Sequence, residues 1–283
     1  MTLTDAQLHV WEADRPDRPW SPLHKPQLPE PFTYQDAIAL LDTNGVDRAV
    51  LVPPMVTGFN NDTSNAHALE AAQAHPDRFI VMGRFDPRPP DAPAKLERWL
   101  EQPGMRGIRL SLEGPPAPQL LEDGALEWAW PVCERLGIAV YFLRPGRPDQ
   151  IAEVAGRFPR LRIVANHLAM GGVRGPDALA AHVEKLAVLV PHQNVALTIS
   201  SLAMSSTEGY PYADLHGSIR RIFDLFGASR LAWATDYTAA RGRLGDAITY
   251  PQLRDFVDVA VPGLTPTERA DLFSGTISRW LNW

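Results

Sequence analysis

Residues 210–237, YPYADLHGSIRRIFDLFGASRLAWATDY, hold one repeat of the fold: a helix-like segment, a glycine turn and a short apolar run closed by Asp236. Two other apolar runs end the same way, 4–11 (TDAQLHVW) on His9 and 162–171 (RIVANHLAMG) on His167. Short apolar runs of this kind read as buried strands. A polar residue at the last position of a buried strand leaves the core where a parallel barrel opens. All strand ends of such a barrel open on one face, so residues remote in sequence meet there.

Working outward, strand-like and helix-like segments alternate along nearly the whole chain. The strand-like runs are 3–10, 47–54, 77–85, 105–112, 138–145, 161–168, 194–202 and 230–237. The helix-like segments between and after them are 33–45, 62–75, 92–102, 125–137, 148–158, 176–190, 212–227 and 250–261. Thr33 can cap the first helix and Gly45 can stop it. Eight β–α pairs predict an α/β protein, a single (β/α)8 TIM barrel over 1–283 with an extra C-terminal helix at 265–281. A doubly wound open sheet rarely needs eight consecutive units. The longest irregular stretches, 11–31, 55–61, 113–119, 203–211 and 238–248, all follow strands, where a barrel builds its active face.

Composition narrows the function. The chain has 283 residues, 45% hydrophobic, enough for one sizeable core, and no Pro/Gly/Ser linker divides it. A net charge of −6 argues against a nucleic-acid partner, which needs a basic face. No apolar run approaches the ~20 residues needed to span a bilayer, and the N-terminus lacks a signal-like pattern. A soluble cytoplasmic protein is the expectation. The single cysteine, Cys133, reads as a buried hydrophobe on a helix.

With the strand ends assigned, the chain resembles the amidohydrolase superfamily, in its amidohydrolase 2 branch. The resemblance rests on DAQLHVW, GVDRAVLV, DRFIVMGRFDP, MRGIRL and above all residues 210–237. That branch holds 2-pyrone-4,6-dicarboxylate lactonase, sugar-lactone hydrolases and nonoxidative decarboxylases. Its metal-binding members carry His-x-His on the first strand, where alternation turns both rings to one ion. Here the first of the two is Gln7, a poor ligand, and the fifth strand, IAVYFLRPG, offers neither histidine nor lysine. The expectation is therefore no metal; a single zinc or manganese at His9, His167 and Asp236 is the alternative.

The resemblance implies that Asp236 acts as general base on water, with His9 and His167 donating hydrogen bonds to the carbonyl oxygen. Gln7 can add an amide N–H, or it can merely brace His9. A lactone is activated enough for such chemistry. Arg109 faces the mouth if Ile108 and Leu110 pack outward, and with Arg144 it points to a carboxylated substrate. Trp11, His24, Phe59, Tyr141 and Tyr237 are candidate walls, although Tyr141 can equally be core. Asp236 can alternatively cap the following turn. The first loop can be a lid, or a surface loop packed by its own Trp residues. Arg174, Arg241 and Arg243 lie on loops of the same face. Ser200 and Ser201 can bond a ligand, but no nucleophile elbow surrounds them.

Three functions stay open: hydrolysis of a small carboxylated lactone without metal, metal-dependent decarboxylation of an aromatic or enol carboxylic acid, and ligand binding on a non-catalytic barrel. The resemblance also allows a homodimer or larger assembly.

Overall fold

The computed structural model describes residues 1–57, 64–113 and 117–283. Eight parallel strands lie side by side in chain order. They are β1 (Thr4–Leu8), β2 (Arg48–Leu51), β3 (Phe79–Arg84), β4 (Met105–Ser111), β5 (Ala139–Leu143), β6 (Ile163–Ala165), β7 (Val195–Ile199) and β8 (Leu231–Trp233). Each falls inside the apolar run that predicted it. Helices α1 (Tyr34–Thr43), α2 (Ala66–Ala74), α3 (Ala92–Glu97), α4 (Gln119–Glu122), α5 (Ala129–Leu136), α6 (Pro148–Arg157), α7 (Pro176–Lys185) and α8 (His216–Phe226) separate them. After β8 come α9 (Tyr237–Leu244), α10 (Tyr250–Ala260), α11 (Pro266–Ala270) and α12 (Thr276–Leu281). The result is a (β/α)8 barrel. Among the described residues no helix is long and apolar enough to cross a membrane.

Alternation along the strands sorts the core into two layers. Leu51, Phe79, Val81, Ile108, Leu110, Val140 and Phe142 face the helices. Val50, Ile80, Met82, Ala139, Tyr141, Val164 and Ala232 face the barrel axis, with Ile277 and Leu281 of α12 packed against them. Each buried large apolar side chain contributes about 1.5–3 kcal/mol. Tyr141 belongs to this interior: its hydroxyl donates to the Ala6 carbonyl at 2.8 Å, so it is core and no wall of the mouth. Two places beyond Met82 and Tyr141 on the same inward faces stand Arg84 and Leu143; with Arg109 and Ser111 of β4 and Asp236 after β8 they reach the open end.

The eighth loop differs from expectation, because α9 occupies most of 238–248. Only its first four residues, Tyr237 to Ala240, are buried. It therefore lacks the apolar stripe that would have marked it as a helix. The first loop lies on it: Thr238 Oγ1 donates to Gln27 Oε1, and a Cβ at Gly242 would stand 2.1 Å from the Gln27 carbonyl. Glycine is required there by close approach.

Among the described residues β8 and β1 form no ladder. The seam is closed instead by Asp236 N–H donating to the Gln7 carbonyl at 3.2 Å and by the side chain of Asp5. Asp5 is wholly buried and accepts from Thr235 N at 2.9 Å, Gln7 N at 3.1 Å, Thr235 Oγ1 and the Tyr250 hydroxyl at 2.8 Å. Burial pushes its carboxyl up to about 6 against these four bonds. The folded state thus binds the Asp5 proton more tightly than the unfolded chain, and this contribution to stability falls as pH rises through roughly 4 to 6. Asp5→Asn is expected to remove that dependence. Relative to the variant, the wild type should lose about 3 kcal/mol between pH 4 and 7, read from urea midpoints. Parallel curves across this range would refute the assignment.

Candidate active site

A register irregularity in β1 between Asp5 and Leu8 interrupts alternation and turns Gln7 and His9 toward the mouth. His9 Nδ1 lies 2.5 Å from the Val52 carbonyl, and Nε2 lies 3.1 Å from Asp236 Oδ1. Nδ1 thus faces a carbonyl, while Nε2 lies between the Asp236 carboxylate and the Gln7 amide nitrogen, 3.2 Å away.

His167 stands on a left-handed turn. His167, Leu168 and Ala169 have φ of 51°, 54° and 52°, conformations that cost a non-glycine residue about 1–2 kcal/mol each. Thr198 Oγ1 accepts from His167 N–H at 2.8 Å and ties the turn to the end of β7. Nε2 of the ring faces the Gln7 amide nitrogen at 3.0 Å, a donor. Nδ1 therefore carries the proton and faces Ser200 Oγ at 2.8 Å and Ser201 Oγ at 3.0 Å. Burial outweighs the nearby Asp236 charge and holds this ring down at about 3, so it is neutral at pH 7.

Asp236 follows β8 at φ 50° and occupies the N-cap position of α9, but its side chain makes no capping bond. The carboxylate is committed to the site. Oδ1 accepts from His9 and, at 3.3 Å, from Gln7 Nε2; Oδ2 accepts from Ser201 Oγ at 3.0 Å. Burial works to raise this carboxyl, but the bond from His9, the neighbouring imidazoles of His167 and His9 and the Ser201 hydroxyl outweigh it and hold it at about 2.

These groups open into a cavity of about 440 Å³ that is also lined by the buried Arg84 and Arg109 and, nearer solvent, by Glu113, His24, Lys25, Arg174 and Arg243. Arg84 and Arg109 are register partners on β3 and β4, and both are buried. Arg84 Nε donates to the Pro53 carbonyl at 2.7 Å and Arg109 Nε to Ser111 Oγ at 2.9 Å. Arg109 Nη1 is buried with no hydrogen-bond partner among the described residues. Burial pulls the two guanidiniums down to about 9 and about 10, with Arg109 adding to the effect on Arg84 and Glu113 opposing both. Each remains charged at neutral pH. A wider surface cleft of about 720 Å³ beside α3 is lined by no histidine or cysteine among the described residues.

The structure brings His9, His167, Asp236, Arg109 and His24 to one cavity, and it moves four other candidates away. Gln7 is fully buried beneath the two histidines, a brace rather than a group presented to ligand. Trp11 turns under the first loop against Phe32, at 6.2 Å between ring centroids, because the chain bends away after β1. Tyr237 packs on Phe32 and Tyr250 beneath that loop. Arg144 is held by Gln150 and Glu122 outside the cavity, since the chain has already turned from β5 toward α6. Phe59 lies outside the described residues. Arg241 pairs with Asp246 at 2.6 Å, whereas Arg243 lines the cavity. Trp20 Nε1 donates to the Glu12 carbonyl at 2.9 Å, so the first loop is packed by its own tryptophans while His24 and Lys25 overhang the mouth. Arg84, missed in the sequence, had the same signal as Arg109, a cation at the inward end of an apolar run.

A divalent ion held by His9, His167 and Asp236 does not fit this donor set. The Gln7 amide nitrogen stands between them, 3.2 Å from His9 Nε2, 3.0 Å from His167 Nε2 and 3.3 Å from Asp236 Oδ1. β5 supplies no anionic ligand in its place. Among the described residues, three ligand atoms within 4.8 Å of one another occur only at Glu12, His67 and Glu70. There Arg18 pairs both carboxylates and the Tyr34 N–H faces His67 Nε2 at 3.3 Å. Gln7→His tests the first point, since it restores a His-x-His pair. The variant is expected to retain about one zinc per chain after dialysis, by elemental analysis; a metal-free variant would show that more than Gln7 closes the site.

Comparison with known proteins identifies the family. A family model described as amidohydrolase matches residues 4–283. An L-fucono-1,5-lactonase from Burkholderia ambifaria is 32% identical over 248 residues, covering 86% of this chain and 83% of that protein. A zinc-bound amidohydrolase from Burkholderia multivorans superposes with a TM-score of 0.83 at 18% identity, covering 100% of this chain and 99% of the other. A probable 2-pyrone-4,6-dicarboxylic acid hydrolase from Acinetobacter baumannii, with citric acid bound, superposes at 0.77 with 18% identity over the whole of both chains. These two superpositions are likenesses of fold. The family match and the lactonase relative carry the assignment: the chain belongs to the amidohydrolase family, and it is a hydrolase.

Proposed function

We propose that this enzyme hydrolyses a small lactone bearing a carboxylate, without a metal, by water activated on Asp236. The observation that carries the reading is an ionised, buried carboxylate opening on the same cavity as a buried guanidinium with a free N–H. The 32% identical lactonase supports a lactone as substrate. The cations at the cavity floor and rim support an anionic one.

In this reading the water oxygen attacks the carbonyl carbon and its proton passes to Asp236. As Asp236 loses charge, its hold on the His9 Nε2–H weakens, and that donor is shared with the growing oxyanion. The ring C–O bond then breaks, and Asp236 returns the proton to the departing oxygen. Lactone and water become a hydroxy acid. Both nitrogens of His167 are already bonded, so its part shifts from carbonyl donor to holding Ser201 against Asp236. A carboxylate held near 2 is a weak base, so charge stabilisation supplies most of the acceleration.

The test pairs elemental analysis of purified enzyme with turnover of a lactone panel, before and after chelation. The panel includes L-fucono-1,5-lactone as a neutral sugar lactone and 2-pyrone-4,6-dicarboxylate as a carboxylated one. Metal-free enzyme that opens a carboxylated lactone regardless of chelator is expected. Stoichiometric metal with chelator-sensitive turnover would overturn the mechanism.

A further inference from the structure

The Asp5 carboxylate has no part in the reaction above, yet it grips both segments that supply the reacting pair. Its Oδ1 accepts from Thr235 N at 2.9 Å, one residue before Asp236, and from Gln7 N at 3.1 Å, two residues before His9. Its Oδ2 accepts from Thr235 Oγ1 and from Tyr250 of α10 at 2.8 Å. These bonds cross the one junction of the barrel where the described strands form no ladder. Elsewhere backbone pairing fixes strand separation; here one backbone bond, Asp236 N to Gln7 O, is joined by side-chain bonds, of which those to Asp5 lie outside the cavity and those of Gln7 and His9 to Asp236 belong to the site itself. Asp5 is fully buried and does not line the cavity, so it cannot touch a ligand.

We propose that Asp5 is a positioning residue: by clamping Thr235 to the start of β1 it sets the distance between His9 and Asp236 across the seam. All four bonds to Asp5 come from neutral donors, and no Lys, Arg or His is among the groups bonded to it. A carboxylate accepts all four at once, whereas a hydroxyl or apolar side chain leaves backbone N–H groups unpaired. Asparagine keeps the shape: its oxygen can serve the two backbone donors, and its amide can face the two hydroxyls, which turn to accept.

The kinetic part of the test rests on the lactonase reading; the spectroscopic part does not. Asp5→Ala is expected to lower kcat about 30-fold or more with KM within about threefold, since a misplacement of about 1 Å costs on the order of 10²-fold. Asp5→Asn should recover kcat to within about fivefold of wild type. Long-range 1H–15N spectra of the imidazoles at pH 7 should show the His9 Nε2 shift set by its contact with Asp236 in the wild type, and the same shift in Asp5→Asn. That signature should be lost in Asp5→Ala. If Asp5→Ala does not fold, Thr235→Val, which removes one donor at nearly constant volume, should move kcat and the His9 signals in the same sense. Wild-type kcat and His9 signals in whichever of these variants folds, with only a lower Tm, would reduce Asp5 to a structural clasp and overturn the proposal. If the wild type opens no lactone, the His9 spectra alone decide, and only the functional reading falls.

Discussion

Asp236→Asn is expected to lower kcat by about 10³–10⁴-fold while the protein stays folded. The substitution is isosteric, and an asparagine oxygen can still accept from Ser201 or Gln7, so the packing around β8 has no reason to change. What disappears is the negative charge at the centre of the site. The water loses its proton acceptor, and His9, which turns one nitrogen to Val52 and the other to Asp236, loses the carboxylate it faces. Both halves of the proposed chemistry fail together, which places this effect above that of any single hydrogen-bond donor. Affinity for product, measured by calorimetry, should change little, because the carboxylate of the ligand is held elsewhere. Retention of a tenth or more of wild-type kcat would remove Asp236 as the base.

The second large effect is expected at Arg109→Met. Nη1 of this guanidinium is buried without a hydrogen-bond partner among the described residues, an arrangement that costs free energy until a ligand supplies an acceptor. A charge-assisted bond lost there should raise KM for a carboxylated lactone about 10²-fold, with kcat within a few-fold. Methionine fills similar volume, and removing a buried charge relieves repulsion on Arg84, so folding should be unharmed. A neutral lactone is the control. An equal rise in KM for both substrates would contradict carboxylate recognition, and a fall in kcat for both would move Arg109 to the reacting carbonyl.

Much of this site was legible before the fold was known, because a charged residue closing an apolar run has few other places to go. His9, His167, Asp236 and Arg109 all follow from that rule, and the outward packing of Ile108 and Leu110 turns Arg109 inward as alternation requires. Arg84 obeys the same rule two places beyond Met82, and only its register with Arg109 makes its role plain. Trp11, Tyr237 and Arg144 were beyond reach for a different reason. Each follows the end of a strand, where the path of a loop decides direction and no periodicity records it. Gln7 is subtler. Its side of the strand is readable, but its depth depends on an irregularity inside β1 that leaves no mark in composition. The helix α9 left no pattern because only one of its turns is buried.

The left-handed turn at 167–169 bears on how such an enzyme can change. It makes the direction of His167 a property of the main chain, anchored to Thr198, rather than of a mobile loop. His9 and Asp236 are fixed at strand ends in the same way, whereas Lys25 and Arg174 stand on the loops around them and Arg243 on the last turn of α9. Substitutions at the rim can therefore retune the choice of substrate while the proton-transfer frame stays still. Evolvability in this barrel is partitioned by geometry: new specificities arise from the periphery, and the strained backbone insulates the chemistry from the search.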